Sequence, residues 1–248
     1  MTEPTTTGPT LADPRDGRAL RRVAGGFVAD DGRQYPRADG ICDLIDDAAV
    51  DDAAAHEMAL FDSLALEGLC YFAPPLFDRV LARLDAAAPP PGPLVEIGGG
   101  EGYLAAAWWR LTGQPGVVCD LSRRALGHAD PALTRLRADA RRPYLAEGSV
   151  AVAAFWVSLH HFEGADRARA LDAALTALRP GGVLLVFEPS AAFAPRRLFM
   201  ASPLARLVYV DREAPVDPDP LDADLRRRGL ERLGLEGVNP PYNPAFLR

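Results

Sequence analysis

The sequence predicts an α/β fold, a doubly wound and mostly parallel sheet with a small N-terminal β lobe and a helical lid. Three observations predict it. From residue 91 onward, short β-rich runs alternate with helical segments, the order that lays helices on both faces of a parallel sheet. The run 150–157 is apolar throughout, as a strand covered on both faces must be. A stiff connector with four prolines between Ala86 and Pro93 separates this alternation from what precedes it.

Residues 1–18 are rich in Thr, Pro, Gly and Asp, lack apolar periodicity, and are expected to form a disordered tail. Residues 19–50 make the small β lobe, with Asp31-Gly32 as a hairpin signal and Ala38-Asp39-Gly40 as a second turn. Residues 51–90 are lid and linker. A helix is expected over 53–70, and a second after Pro74-Pro75, where Leu76, Val80, Leu81 and Leu84 share one face. The core spans 91–190, with strands over 94–97, 116–120, 133–138, 150–157 and 183–188. Helices over 102–112, 123–129 and 166–178 separate them, the last stopped by Arg179-Pro180-Gly181-Gly182. Residues 191–248 are read as a substrate-side insert with a helix over 195–209, then a linker at 215–220, a helix over 221–228 and a sixth strand over 230–238.

The chain has 248 residues, room for one α/β domain with an appended lobe, and at 48% hydrophobic and 25% charged it can bury a sizeable interior. A net charge of -7 weighs against life on nucleic acid, which needs a basic surface; Arg196-Arg197 and Arg226-Arg227-Arg228 read as solvated faces. No stretch approaches the roughly 20 apolar residues that cross a bilayer, and no leader pattern opens the chain, so membrane insertion is not expected and a cytoplasmic location is. Cys42, Cys70 and Cys119 lack pairing or metal-ligand spacing and are read as packing thiols.

The segment Val95-Glu96-Ile97-Gly98-Gly99-Gly100-Glu101-Gly102 ends the first core strand and opens a helix, which places backbone N–H groups at the carboxyl end of the sheet. A phosphate loop needs Gly-Lys-Ser/Thr at its end, whereas this one runs Gly100-Glu101-Gly102-Tyr103. A dinucleotide fingerprint needs glycine at the sixth position, which is Tyr103 counting from Gly98. Glu101 would also repel a pyrophosphate. A ligand with a positive sulfonium and an amino acid tail has no phosphate to be repelled.

With Glu96 before the alternating glycines, the chain resembles class I S-adenosylmethionine-dependent methyltransferases of the ubiquinone-biosynthesis type, over roughly residues 90–190. The resemblance implies a Rossmann-like fold, S-adenosyl-L-methionine as cofactor and S-adenosyl-L-homocysteine as product. It places Glu96, Gly98, Gly99, Gly100 and Gly102 at the cofactor. Asp120, 18 residues beyond Gly102, would with Leu121 hold the ribose hydroxyls, and Asp139 with Ala140 would meet the adenine amino group. Trp156 joins this set. As alternatives, Asp120 could cap the next helix and Asp139 could sit in a solvated turn. Leu178-Arg179-Pro180-Gly181-Gly182 matches the turn before strand five. Residues 31–41 resemble the ribbon lobe that precedes some bacterial methyltransferases; zinc-bearing versions have paired cysteines, and only Cys42 adjoins here, so no metal is predicted.

Strand four ends in Ser158-Leu159-His160-His161-Phe162, on the substrate side in similar enzymes. An imidazole can take a proton from a hydroxyl, amine or enol acceptor as the methyl arrives, so His160 and His161 are the candidate bases; hydrogen-bonding a loop or shaping the pocket is the other reading. Glu188 either lines the same cleft or caps a helix. Trp108 and Trp109 are read as core, Tyr71, Phe72, Phe77 and Met200 as an apolar lid, and His56 and His128 as surface or packing residues.

Methyl transfer needs mainly alignment and exclusion of water, so the sequence declares the cofactor more clearly than the acceptor. The expected acceptor is an oxygen, nitrogen or activated carbon of a small molecule, of secondary-metabolite type. RNA methylation, and a cofactor-binding protein that catalyses another reaction or serves as a partner subunit, are the alternatives. Only 239–248, with three prolines, remain for a seventh strand, so that strand is very short, truncated, or supplied by a second copy in a homodimer.

Overall fold

Short β-prone runs broken by glycine turns open the chain, and they form an antiparallel meander: β1 (Arg21–Val23), β2 (Gly26–Val28), β3 (Gln34–Ala38) and β4 (Ile41–Asp43). The structure is a computed structural model and describes residues 8–45, 50–63, 74–190, 198 and 216–237. Five parallel strands follow: β5 (Leu94–Ile97), β6 (Gly116–Asp120), β7 (Thr134–Arg137), β8 (Val150–Trp156) and β9 (Leu178–Phe187). The helices are α1 (Asp52–Ser63), α2 (Pro74–Ala86), α3 (Tyr103–Thr112), α4 (Arg123–His128), α5 (Gly164–Ala177) and α6 (Pro218–Arg227).

The meander does not stand apart as a lobe. β4 pairs in parallel with β7, Ile41 opposite Arg135 and Asp43 opposite Arg137, so one nine-stranded sheet runs β1-β2-β3-β4-β7-β6-β5-β8-β9. From β5 the chain winds outward through β6 and β7, then crosses back to β8 on the other side of β5. That reversal opens a crevice outside the carboxyl ends of β5, β6 and β8, where α/β sheets bind ligands.

Alternation along the central strands divides the core in two. Leu94, Val118, Val152 and Ala154 pack under Leu76 and Leu81 of α2, Leu104 and Trp108 of α3 and Leu126 of α4. Val95, Ile97, Val117, Ala153 and Phe155 face Leu171 and Ala174 of α5, with Leu221 and Leu225 of α6 against them. Cys42 and Cys119 are buried free thiols, as expected. Trp108 is buried too, whereas Trp109 is 38% exposed and faces outward on the same helix.

Three expectations are corrected. The tail does not extend to residue 18, because Leu11, Ala12 and Asp13 are buried: Leu11 bridges to Leu145, and Ala12 N–H donates to Tyr144 O at 3.0 Å. Two isolated leucines, Leu11 and Leu20, anchor this segment without forming a periodic pattern. No strand forms over the described residues 230–237, where Leu233 and Leu235 are 67% and 63% exposed. β9 begins five residues before the expected 183, pairing Leu178 with Val150 across a register shift. Cys70, Tyr71, Phe72, Arg196-Arg197, Met200, most of the helix at 195–209 and the segment from 238 lie outside the described residues. Among the described residues no helix is long and apolar enough to cross a membrane, and no cluster of three His, Cys, Asp or Glu is placed to hold a metal ion.

Candidate active site

The loop between β5 and α3 takes its shape from three left-handed residues, Gly98 (φ 63°), Gly100 (φ 55°) and Gly102 (φ 72°). This conformation costs a side-chain-bearing residue roughly 1–2 kcal/mol. Close approach adds a second requirement. A Cβ on Gly98 would lie 2.6 Å from Ser158 Cβ, and one on Gly102 would lie 2.9 Å from both Val118 and Leu133, so the loop lies flat between β6 and the turn after β8. At Gly100 nothing but Ala125 comes within 4 Å, which leaves that glycine toward open space.

Gly102 is the N-cap of α3 and brings no side-chain acceptor for the first-turn N–H groups. Glu96 fills that gap from the end of β5, its Oε2 accepting the Ala105 N–H at 2.8 Å. Glu96 is 1% exposed, and its Cγ occupies the space a Cβ on Gly99 would need. Burial pushes its carboxyl up to about 8, against the lowering effect of the helix N–H groups. Glu96 therefore lies beneath the loop and supports it from the end of β5.

Asp120, at the end of β6, faces the loop. Its Oδ2 accepts the Gly100 N–H and its Oδ1 the Ser122 N–H, both at 2.8 Å, and burial raises its carboxyl pKa against these bonds. The cap of α4 is Ser122, whose Oγ accepts the Ala125 N–H at 3.1 Å, so helix capping does not employ Asp120. The backbone N–H groups of Gly100, Leu121 and Ser122 all act on this carboxylate, which keeps part of its acceptor capacity.

Asp139 is differently placed. Its Oδ1 accepts the Arg141 backbone N–H and Nε at 2.9 Å, and its Oδ2 accepts Arg141 Nη2 at 2.8 Å, so a guanidinium fork occupies the carboxylate intended for an adenine amino group. Leu121 and Asp139 nonetheless line a cavity with Leu44, Ile45, Val50 and Ala54 beyond the ends of β4, β6 and β7. Ala140, adjoining it, is buried. Trp156 is sandwiched between Phe77 of α2 at 5.2 Å and Phe187 of β9 at 4.3 Å between ring centroids. Its rings pack in the core on the α2 face.

After β8 the chain turns at Val157, a β-branched residue with φ 54°, a rare conformation that marks local strain. Glu188, following β9, holds this turn. Its Oε1 accepts the N–H groups of Ser158 at 2.7 Å and Leu159 at 2.6 Å, and its Oε2 meets His160 Nδ1 at 2.7 Å. The Ser158 hydroxyl donates to Ile97 O at 2.5 Å and ties the turn to the strand that carries the glycine loop. The two histidines thus differ in surroundings. His160 is 3% exposed with Nδ1 on a carboxylate, which fixes its ring as a support. His161 lies against it with ring centroids 4.1 Å apart and planes tilted by 37°, is more accessible, and faces Glu57 of α1 at 3.8 Å. Burial and the neighbouring His160 lower its pKa to about 4, so it is neutral at pH 7.

Ser158 and Ser122 were not singled out by the sequence, and Arg141 carried as its one signal a place two residues after Asp139.

A search of curated proteins found no match. Solved structures share the fold. A S-adenosylmethionine-dependent methyltransferase from Archaeoglobus fulgidus is 15% identical, covering 63% of this chain and 69% of its own, with TM-score 0.50. The YcgJ protein of Bacillus subtilis is 16% identical over 60% and 67%, TM-score 0.49. An O-methyltransferase family protein from Burkholderia thailandensis is 20% identical over 66% and 52%, TM-score 0.48, so this chain spans about half of its length. A family model described as a methyltransferase domain matches residues 71–233, the greater part of the sequence and all of the glycine loop, Asp120 and the His160–Glu188 turn. The chain belongs to that methyltransferase-domain family.

Proposed function

We propose that this protein is an S-adenosyl-L-methionine-dependent methyltransferase that methylates an oxygen, nitrogen or activated carbon of a small-molecule acceptor. The observation that carries the reading is the pairing of the left-handed glycine loop with Asp120 across the crevice, linked by the Gly100 N–H. The residues fit the cofactor. Gly100 is open on its outer side, the Asp120 carboxylate would accept from the ribose hydroxyls, and Leu121 would offer an apolar edge to adenine. The acidic chain, at net charge -7, favours a small acceptor over RNA.

What the cofactor supplies when bound is a methyl carbon on a positive sulfonium, with S-adenosyl-L-homocysteine as the product. The chain's part is to hold, align and dehydrate. Gly98 to Gly102 give backbone N–H groups and close approach, and Asp120 fixes the ribose end. Glu188 and His160 hold the turn after β8 in its strained form, and His161 follows on it beside Glu57 of α1. His161, neutral at physiological pH, receives the proton that a hydroxyl or amine acceptor loses.

Calorimetry with S-adenosylhomocysteine tests the cofactor. Wild type should bind, and Asp120→Ala, which removes two charge-assisted bonds, should bind on the order of 100-fold more weakly. Absence of binding by folded wild type overturns the reading. Release of S-adenosylhomocysteine across a panel of hydroxyl, amine and enol acceptors tests the acceptor class.

A further inference from the structure

Arg141 is 8% exposed in its side chain, yet its guanidinium meets three carboxylates from three parts of the chain. Asp139 follows β7, Asp166 belongs to α5 and lies 3.1 Å away, and Asp51, 2.7 Å away, immediately precedes α1. Asp51 also caps α1, its Oδ1 accepting the Ala54 N–H at 2.9 Å. The opposite end of the same helix is tied to the loop after β6, where Ser122 Oγ donates to Asp62 Oδ1 at 2.5 Å and Arg124 Nη1 donates to Asp62 O at 3.1 Å. Between them Glu57 faces His161 after β8. Asp51, Ala54, Glu57 and Asp62 fall on one side of α1 by helical spacing, so the helix lies across the carboxyl ends of β6, β7 and β8. Val50 and Ala54 line a cavity together with Leu121, Asp139, Arg142 and, from the N-terminal segment, Arg15.

We propose that Arg141 is a positioning residue that clamps α1 over the nucleoside end of the cofactor cleft, so that α1 forms a wall of the bound cofactor and lifts when the product leaves. This rests on the cofactor reading above. Two consequences follow from the geometry. The guanidinium fork spans Asp139 and Asp51 together, which a lysine ammonium, a point charge, does not do. Without the arginine, three carboxylates face one another with no counter-charge, and their repulsion drives α1 away from the strand ends. The Asp139 carboxylate is then an anchor of the lid rather than a reader of adenine.

Hydrogen exchange of residues 52–63 with and without S-adenosylhomocysteine tests this, together with the dissociation rate of that ligand by stopped flow. In wild type the ligand should slow exchange across α1 by about tenfold or more. Asp51→Asn keeps an oxygen for the Ala54 cap but removes the ion pair, and should lose that protection and release the ligand about tenfold faster. Arg141→Lys should do the same, and stands in should Asp51→Asn fail to fold. A purely structural arginine would lower the stability of the variants and leave the ligand's slowing of α1 exchange as it is in wild type. Wild type that binds the ligand with no change in α1, or variants that match wild type in both measures, overturn the clamp and leave the cofactor reading standing. Wild type that binds no ligand overturns both.

Discussion

Glu96→Gln isolates the most perturbed carboxyl in the cofactor loop. Glu96 sits under Gly99 at 1% exposure with Oε2 on the Ala105 N–H, and burial carries its pKa from 4.5 in the unfolded chain to about 8 in the folded one. Between those values the folded state binds a proton that the unfolded state has released, so stability falls as pH rises. The contribution of Glu96 is thus fully present below pH 4.5 and lost as pH climbs through 8. Over the three units from pH 5 to pH 8, the loss amounts to roughly 4 kcal/mol at the conversion of a pKa shift to free energy. Glutamine keeps an oxygen for Ala105 but never ionises; whatever its NH₂ costs is a constant offset and cannot produce a slope. Urea unfolding of both proteins at pH 5, 6, 7 and 8 reads the difference directly. Wild type should lose ground to the variant at each step, by roughly 4 kcal/mol in all between pH 5 and pH 8. A difference that stays flat with pH would mean that the carboxyl titrates alike in both states, and the account of Glu96 as a buried, mostly protonated support at pH 7 would fall.

Three further outcomes follow. Gly102→Ala combines left-handed strain with contacts of 2.9 Å to Val118 and Leu133 and should cost about 2–5 kcal/mol in urea unfolding, whereas Gly100→Ala, with open space on its outer side, should cost only about 1–2; equal costs would refute the packing argument. Glu188→Gln leaves one oxygen for the N–H groups of Ser158 and Leu159 and for His160, so one side of the turn meets an NH₂ donor; we expect a loss of about 2–4 kcal/mol and faster solvent exchange of the His160 Nδ1 proton by NMR, and retention of both would show the turn stands without its carboxylate. If His161 takes the acceptor's proton, kcat/KM should hold steady as pH falls from 8 to 5 and decline only toward 4, and His161→Gln should abolish that decline; an acid limb at pH 6.5 in wild type would contradict the burial that lowers the pKa of this imidazole.

What the sequence could express, and what it could not, divides along the range of the interaction. The loop was readable because left-handed backbone at Gly98, Gly100 and Gly102 admits few residues but glycine, so a requirement of conformation becomes a spelling. Asp120 was readable because a strand's last residue is set by the strand. The division of labour between His160 and His161 was not, since adjacent residues of one kind differ only in what the fold brings to them, here Glu188 from the end of the next strand and Glu57 from a helix some hundred residues back. Distance in sequence hides such pairs, and the same holds for β4 against β7. Asp139 shows the opposite failure: its partner Arg141 is two residues away, close enough to notice, but an arginine beside an aspartate is common and says nothing until Asp51 and Asp166 arrive to surround it. A family likeness assigns Asp139 by position, whereas the guanidinium claims it by charge, and in a half-buried site a bidentate ion pair outweighs one hydrogen bond to a neutral amino group. Under the cofactor reading proposed above, Asp120 would serve the ligand while Asp139, held by Arg141, would serve a contact that its place after β7 does not announce.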